Sequence, residues 1–237
     1  MLQGDYLSVL EAKDQDQFRS VVIRFAKSLG FETVSAMVAV DHVGAAPEFV
    51  TVHNTPMAYL ESFQDLSATK RDPVSQHCKR NTVPIIWGQK TYLDSHAIEL
   101  WEQQAQFGYR NGIAMALHLP EGRHFLLGVD RDQALPEDKS ELTRIVADLQ
   151  LFAVHAQDTA LRILVSEAAR PELPALTPRE LDVLRWTMEG MTSKEVAVKL
   201  GNRERTTLWH LQNAMIKLSC NSKHQAVLKA LRLGLIQ

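Results

Sequence analysis

The chain lacks the features that mark membrane, secreted and metal-dependent proteins. It has two cysteines among 237 residues, Cys78 and Cys220, and neither belongs to a Cys-x-x-Cys or a metal-binding Cys and His spacing. We therefore predict free thiols, no metal and no cofactor. No apolar run approaches the roughly eighteen residues that a membrane span needs, and the N-terminus lacks the basic, apolar and small-residue order of a secretory signal. These absences predict a globular protein of the cytoplasm with no membrane partner.

Charge is unevenly divided along the chain. The net charge is −2 at pH 7, but residues 175–237 hold 10 Lys and Arg against 5 Asp and Glu, whereas residues 1–174 hold 16 against 23. A compact basic module of this size suits binding to a phosphate backbone.

A short segment between the acidic and basic parts predicts a domain boundary. Residues 166–175 contain two prolines and few large apolar side chains, which is typical of an exposed linker. We therefore predict a first domain over residues 1–165, a linker over 166–175 and a second domain over 176–237.

Strand and helix patterns do not alternate regularly in the first domain. The predicted strands are 33–40, 48–54, 112–119 and 123–130, and the predicted helices include 17–30, 94–108 and 137–165. This order favours an α+β fold, an α-β-α sandwich around an antiparallel sheet, over a parallel doubly wound sheet. The helix over 137–165 is longer than one small sheet needs, so part of it is predicted to contact a partner subunit.

Three helix-start signals occur in the second domain. Each is a Ser or Thr followed three residues later by Glu or Gln, the spacing of a capping box: Thr177 and Glu180, Thr192 and Glu195, Ser222 and Gln225. The predicted helices are 178–189, 193–200, 203–218 and 223–233. Because only a short turn separates the second helix from the third, the pattern predicts an all-α four-helix domain that contains a helix-turn-helix.

The third of these helices has two distinct faces at 100° per residue. The predicted core face is Thr207, Leu211, Ala214 and Leu218, and the predicted DNA face is Arg203, Arg205, Leu208, Trp209, Gln212 and Asn213. Arginine and glutamine can pair with guanine and adenine, and apolar side chains can meet a thymine methyl group. The predicted phosphate contacts are Lys194, Lys199, Thr206 and Lys217. The alternative is a basic helical module with a solvated face, although an exposed Trp209 argues against it.

The motifs of the second domain carry a family resemblance. With LTPRELDVL, GMTSKEVAVKL and TTLWHLQNAMIKL in this order, residues 176–236 resemble the DNA-binding domain of the LuxR family. The resemblance implies a regulator that binds double-stranded promoter DNA. Paired half-sites multiply the modest specificity of one reading helix, so a homodimer is expected. The helices at 137–165 and 223–233 are the candidate interfaces. Asn202, Arg203 and Thr207 depart from the family pattern.

Residues 54–87 resemble the autoinducer-binding domain of the LuxR family. The resemblance is carried by Pro56, Asp72, Pro73, Pro84 and Trp87, with Gly112 in register beyond them. It implies an N-acyl homoserine lactone as ligand, with Asp72 accepting the amide N–H and Trp87 forming the wall of the head-group site. The further predicted ligand contacts are Tyr59, Phe63, Val74, Tyr92, Trp101 and Gly112. Tyr59 and Phe63 depart from the family's usual Trp and Tyr, and Thr55 from its usual Tyr.

Other interpretations stay open on the same residues. Asp72 before a proline is also a helix N-cap, and both roles can hold at once. The departures at Tyr59 and Phe63 also suit an orphan regulator that answers another small molecule or none. No G-x-S-x-G and no supported carboxylate pair occurs, so we do not expect an enzyme.

Overall fold

The computed structural model describes residues 6–41, 46–62, 70–165 and 174–237. Two compact units make up the chain, one containing nearly all of the residues up to 169 and the other the residues from 170 onward. Most of the predicted linker falls outside the described residues, as does Phe63. Within the described ranges, no helix combines the length and the apolar character that crossing a membrane requires.

A five-stranded antiparallel sheet forms the centre of the first unit, with strand order β2-β1-β5-β4-β3. The strands are β1 (Thr33–Val40), β2 (Glu48–His53), β3 (Ile85–Trp87), β4 (Asn111–Leu119) and β5 (Arg123–Arg131). Asp130 on β5 pairs with Gly112 on β4 and with Thr33 on β1, and Gly112 pairs with Trp87 on β3. These four residues therefore form one row across the sheet, with their Cα–Cβ directions on the same face.

Two helices cover one face of the sheet. They are α1 (Gln15–Ser28) and α6 (Lys139–Leu164). Asp14 caps α1 by accepting the N–H of Gln17 at 2.8 Å, and Gly30 ends it at a φ of 83°. Phe25 and Phe152 stack at 4.0 Å between ring centroids inside the larger apolar core. The helical pattern of α1 is confirmed, because its apolar positions are those buried against the sheet.

Among the described residues, four shorter helices cover the opposite face. They are α2 (Met57–Ser62), α3 (Pro73–Arg80), α4 (Gln89–Asp94) and α5 (Ile98–Ala105). A smaller apolar cluster fills part of this layer: Cys78, Trp87, Tyr92, Leu100, Ala114 and Ala116. Helices on both faces of an antiparallel sheet confirm the predicted α-β-α architecture. The helix predicted over 94–108 is confirmed over Ile98–Ala105. Its predicted start is too early, because His96 at a φ of 54° separates α4 from α5.

The second unit is helical throughout its regular structure. Its helices are α7 (Pro178–Met188), α8 (Ser193–Lys199), α9 (Glu204–Lys217) and α10 (Lys223–Arg232). The capping boxes of α7 and α8 form as predicted. The third forms only in part: Ser222 accepts from the N–H of Gln225 at 3.2 Å, but the Gln225 side chain accepts from Asn221 instead of Ser222. The four predicted helices and their shared core, which includes Val183, Leu184, Leu211 and Leu218, are confirmed.

Candidate functional site

A cavity of about 350 Å³ lies between the sheet and the layer of short helices. It brings together five of the predicted ligand contacts: Tyr59, Asp72, Val74, Trp87 and Tyr92. Its lining also includes residues that the sequence did not single out, among them Ser35, Gln104, Tyr109, Gly128 and Asp130. The wall is therefore a mixture of apolar surface and convergent polar groups, as in a site for a small molecule.

Asp72 caps a helix and also lines the cavity. Its Oδ2 accepts the N–H of Ser75 at 2.7 Å, which caps α3 directly ahead of Pro73. Its Oδ1 accepts the hydroxyl of Tyr92 at 2.8 Å at the cavity wall. Burial, with a further contribution from the Asp72 charge, raises the pKa of Tyr92, so this phenol stays neutral and donates. Each carboxylate oxygen keeps a second lone pair for a further donor.

Trp87 forms a wall of the cavity, and Gly112 makes room for it. The indole is 5% exposed and meets the Tyr92 ring edge-on at 5.9 Å. A Cβ at Gly112 would lie 2.7 Å from Trp87 Cε2 and 2.5 Å from the backbone oxygen of Val129. Gly112 was predicted to contact the ligand, but it is not among the residues that line the cavity; its lack of a side chain makes room for the indole.

Trp101 also lies off the cavity, contrary to its predicted role. Its Nε1 donates to the backbone oxygen of Arg110 at 2.9 Å. On α5 the side chains that line the cavity are Leu100 and Gln104, which are four residues apart and share one face of the helix. Trp101 is rotated by about 100° from Leu100, which directs it away from the cavity.

The second carboxylate of the cavity, Asp130, was missed by sequence reasoning. Burial raises its pKa from the ordinary 3.8 to about 7; a hydrogen bond from the Thr33 side chain opposes this rise and the Asp72 charge adds to it. Alternation of apolar and other side chains along β5 could have identified Asp130. Phe125, Leu127 and Val129 belong to the core on the other face, so Gly128 and Asp130 point to the cavity.

Two further polar groups face this region. The side chain of Gln104 is 6% exposed, and its Nε2 has no hydrogen-bond partner among the described residues. It lies close enough to the Tyr92 hydroxyl to lower the pKa of that phenol without making a well-aligned hydrogen bond. Tyr59 stacks on Tyr109 at 4.3 Å, and burial followed by the Asp130 charge raises the pKa of Tyr59. The phenols therefore remain neutral hydrogen-bonding groups.

The helix-turn-helix presents the face of α9 that the sequence predicts to be free. The core face is buried at Thr207, Leu211, Ala214 and Leu218. Exposed side chains include Arg203, Arg205, Thr206, Leu208, Trp209 and Gln212, with Asn213 half-buried and Lys194 and Lys199 exposed on α8. Trp209 is 57% exposed. This face offers the hydrogen-bonding and apolar groups that reading a major groove requires.

Lys217 has a structural partner that argues against its predicted phosphate contact. Its Nζ donates to Glu180 Oε2 at 2.8 Å and to the backbone oxygen of Ala175 at 3.1 Å. Glu180 is 2% exposed and also closes the capping box of α7. Burial acts to raise the pKa of Glu180, but the hydrogen bonds from Lys217 and Thr177 outweigh it and hold the pKa below its usual value. The Lys217 charge is therefore used inside the domain.

Comparison with known proteins places both units in established domain families. Residues 14–160 match the family model of the autoinducer binding domain, and residues 174–230 match that of the bacterial regulatory proteins of the luxR family. The transcriptional activator protein AnoR of Acinetobacter nosocomialis is 31% identical, over 99% of this chain and 98% of that protein. The quorum sensing-dependent transcriptional regulator RpaR of Rhodopseudomonas palustris is 30% identical, over 81% and 76%.

A solved structure has the same arrangement of elements. Escherichia coli SdiA superposes with a TM-score of 0.74 at 25% identity, over 98% of this chain and 96% of that one. The matched domains and named relatives are those of regulators, which confirms the expectation that the chain is not an enzyme. The chain belongs to the LuxR family of bacterial regulatory proteins, with an autoinducer-binding domain followed by a luxR-type helix-turn-helix domain.

Proposed function

We propose that the chain is a cytoplasmic quorum-sensing transcriptional regulator. It binds an N-acyl homoserine lactone in the cavity of the first unit and promoter DNA, as a homodimer, through α9. The names of AnoR and RpaR support transcriptional control and quorum sensing. The observation that carries the ligand assignment is the Asp72 carboxylate at the cavity wall, held between the Ser75 N–H and the Tyr92 hydroxyl.

The chemistry of a lactone ligand matches the lining of the cavity. An N-acyl homoserine lactone has one amide N–H, two carbonyl oxygens and an apolar tail, so its burial needs an acceptor, one or two donors and apolar walls. Asp72 supplies a charged acceptor with spare lone pairs, which is worth about 1.5 to 3 kcal/mol to a buried amide N–H. The phenol of Tyr59 and the amide of Gln104 supply donors, and the Trp87 indole supplies a flat wall for the ring.

Exposed apolar side chains support the proposed homodimer. Leu151 and Val154 on α6 are 42% and 49% exposed. On α10, Leu228 and Leu231 are 63% and 39% exposed. Two helices thus present apolar surface that pairing with a second copy would bury. A symmetric dimer also presents two reading helices to paired half-sites.

A thermal shift assay with a matched pair of cap variants tests the ligand assignment. Lactones that bind the folded protein raise its melting temperature. Asp72→Asn keeps an N-cap residue but removes the carboxylate, so it should lose most of this rise. Asp14→Asn makes the same change at the exposed cap of α1 and should keep the full rise. A panel of lactones that leaves the wild-type melting curve unmoved would contradict the assignment.

DNA reading is tested by selecting bound duplexes from a random library with the full chain. Enriched sites should be paired half-sites spaced by about one helical turn. Arg205→Ala should relax the preference at one base pair and weaken binding by about 1 to 3 kcal/mol. A bound monomer, or enrichment of single half-sites, would contradict the dimer.

A second candidate function is a regulator that responds to another small molecule. The presence of Tyr59 where the family usually has Trp, and the second carboxylate Asp130 in the cavity, favour this candidate. DNA binding that no lactone alters, at any concentration, would support it over lactone sensing.

A further inference from the structure

We infer that the cavity selects ligands that carry a second hydrogen-bond donor, a hydroxyl or an ammonium group, for which Asp130 is the acceptor. This inference rests on the proposed ligand-binding function of the cavity. It goes beyond that function, because an unsubstituted acyl homoserine lactone has a single N–H, and Asp72 is the acceptor assigned to it.

The placement of the two carboxylates sets this requirement. Asp72 reaches the cavity from the start of α3, whereas Asp130 reaches it from the sheet, in the same row as Trp87. A ligand that lies against the indole therefore meets acceptors from two different elements. Both side chains line one cavity, and their charges interact.

The protein leaves Asp130 with unused acceptor capacity. A carboxylate offers about four lone-pair sites. The Thr33 hydroxyl is the side-chain donor that lowers the pKa of this carboxyl, and it also donates to the backbone oxygen of Asp130 at 3.3 Å, so its one hydrogen is shared between two acceptors. By contrast, Asp72 already accepts from Ser75 and Tyr92.

No cation in the lining compensates Asp130. None of the described residues that line the cavity is a lysine or arginine. The neighbouring Arg131 points to the opposite face, where its guanidinium lies over the Phe31 ring at 5.9 Å. The carboxyl and phenol groups that face Asp130 are Asp72, Tyr59 and Tyr109. His53 also lines the cavity, where its Nδ1 accepts the N–H of Thr55 at 3.2 Å. A donor from the ligand is the group that this site lacks.

Open space leads to Asp130 along β5. A Cβ added at Gly128 would meet no atom within 4 Å, and Gly128 lines the cavity two residues before Asp130. Residues i and i+2 of a strand share one face about 7 Å apart. A ligand group that lies over Gly128 is therefore within reach of Asp130.

Gln104 completes the recognition pattern from the helical side. Its Nε2 is buried without a hydrogen-bond partner among the described residues, so it can donate to a carbonyl oxygen of the ligand. The cavity thus offers the Gln104 amide as a donor for a carbonyl group and the Asp130 carboxylate as a charged acceptor. This combination fits a ligand that has donors as well as carbonyl groups.

The test compares matched ligands on the full-length protein by isothermal titration calorimetry. The first set is N-octanoyl, N-(3-oxooctanoyl) and N-(3-hydroxyoctanoyl) homoserine lactone, of which only the last has a second donor. The second set is N-octanoyl ethylenediamine, which carries an ammonium group, against N-octanoyl propylamine, which has a methyl group in its place. The donor-bearing member of at least one set should bind about tenfold tighter or more, as expected for a charge-assisted hydrogen bond.

Variants of Asp130 assign the preference to this residue. Asp130→Val has no acceptor and retains strand propensity, and it should bring the members of each set within about twofold of one another. Asp130→Asn should leave a reduced preference, because its amide oxygen still accepts. Asp132→Asn, an exposed acid just after β5 that pairs with Arg110 at 3.1 Å, should leave the preference unchanged.

The pH dependence separates this inference from the opposite assignment, in which a neutral Asp130 donates to a carbonyl group. With a pKa of about 7, the carboxyl ionises between roughly pH 6 and pH 8, and an accepting role makes the preference grow over this range. A preference that falls as the pH rises, or that survives Asp130→Val, overturns the inference.

Failure of the inference is distinguishable from failure of lactone sensing. Equal binding of the three lactones, together with equal binding of the ethylenediamine and the propylamine, overturns the inference and leaves the proposed function standing. Discrimination only between the ethylenediamine and the propylamine, with no lactone bound, supports the inference and overturns the lactone assignment. No binding by any of the five compounds overturns both.

Discussion

Replacing Asp130 with asparagine should stabilise the ligand-free protein above neutral pH. Burial raises the pKa of this carboxyl from the ordinary 3.8 to about 7, so the folded state binds a proton that the unfolded state has already released. The protonated Asp130 therefore contributes stability that is fully present below about pH 4 and is lost as the pH rises towards 7. At pH 8 the ionised group is therefore unfavourable in the folded protein.

The magnitude follows from the size of this rise. Each pKa unit corresponds to about 1.4 kcal/mol, so a rise of about three units destabilises the folded protein by at most about 4 kcal/mol. Water in the cavity lowers this penalty, and we expect about 2 to 4 kcal/mol at pH 8. Asparagine has nearly the same shape and no charge, so it should recover most of that free energy. At about pH 4 the gain should disappear.

Urea unfolding at about pH 4 and pH 8 measures this gain. In a background with Trp186→Phe and Trp209→Phe, the remaining tryptophans, Trp87 and Trp101, report on the first unit. Asp132→Asn is the matched control, because it removes an exposed carboxylate next to the same strand. Equal stability of wild type and Asp130→Asn at pH 8 would refute the reasoning, since it would mean that Asp130 is well solvated.

Three further outcomes follow from the described contacts. Gly112→Ala should destabilise the first unit by about 1 to 3 kcal/mol in a thermal melt, because the new Cβ would lie 2.7 Å from the Trp87 ring. Gly128→Ala is the control: its new Cβ would meet nothing within 4 Å, so the stability should hardly change. Lys217→Met should lower the stability of the second unit by about 1 to 3 kcal/mol, because it leaves Glu180 buried without its cation. If the variant binds DNA more weakly but keeps the wild-type urea midpoint, the structural role assigned to Lys217 is wrong. Burial, with a smaller contribution from the Asp72 charge, raises the pKa of Cys78 to about 11. Its thiol should therefore be alkylated at pH 8 far more slowly in the native protein than in urea. Equal alkylation rates, measured by mass spectrometry, would contradict this.

The second unit was predictable in detail because its signals are local. Capping pairs and helix-ending glycines lie within a few residues of the ends that they define, and the core face of α9 follows from helical period alone. Lys217 is the exception. Its partner Glu180 is 37 positions away, and helical geometry within α9 does not reveal a contact with α7.

The cavity was predictable only where a motif marked it. Asp72 and Trp87 lie in a recognisable pattern, and the structure brings them to one cavity. Strand β3 has three residues, too few to show the alternation of apolar and polar side chains that marks a strand. Without β3, the pairing that places Trp87 in the same row as Asp130 cannot be predicted. The register of the sheet thus decides which residues meet, and inspection of one sequence does not reveal that register.

Because Asp72 both caps α3 and lines the cavity, few substitutions at this position can change the ligand preference. A replacement there must still begin α3, which restricts it to asparagine, serine or threonine if the helix is to keep its start. Asp130 lies within a strand, and its side chain does not cap a helix. We therefore expect divergence of chemical specificity to proceed mainly through the sheet position, with the helix-start position held almost constant by the needs of folding.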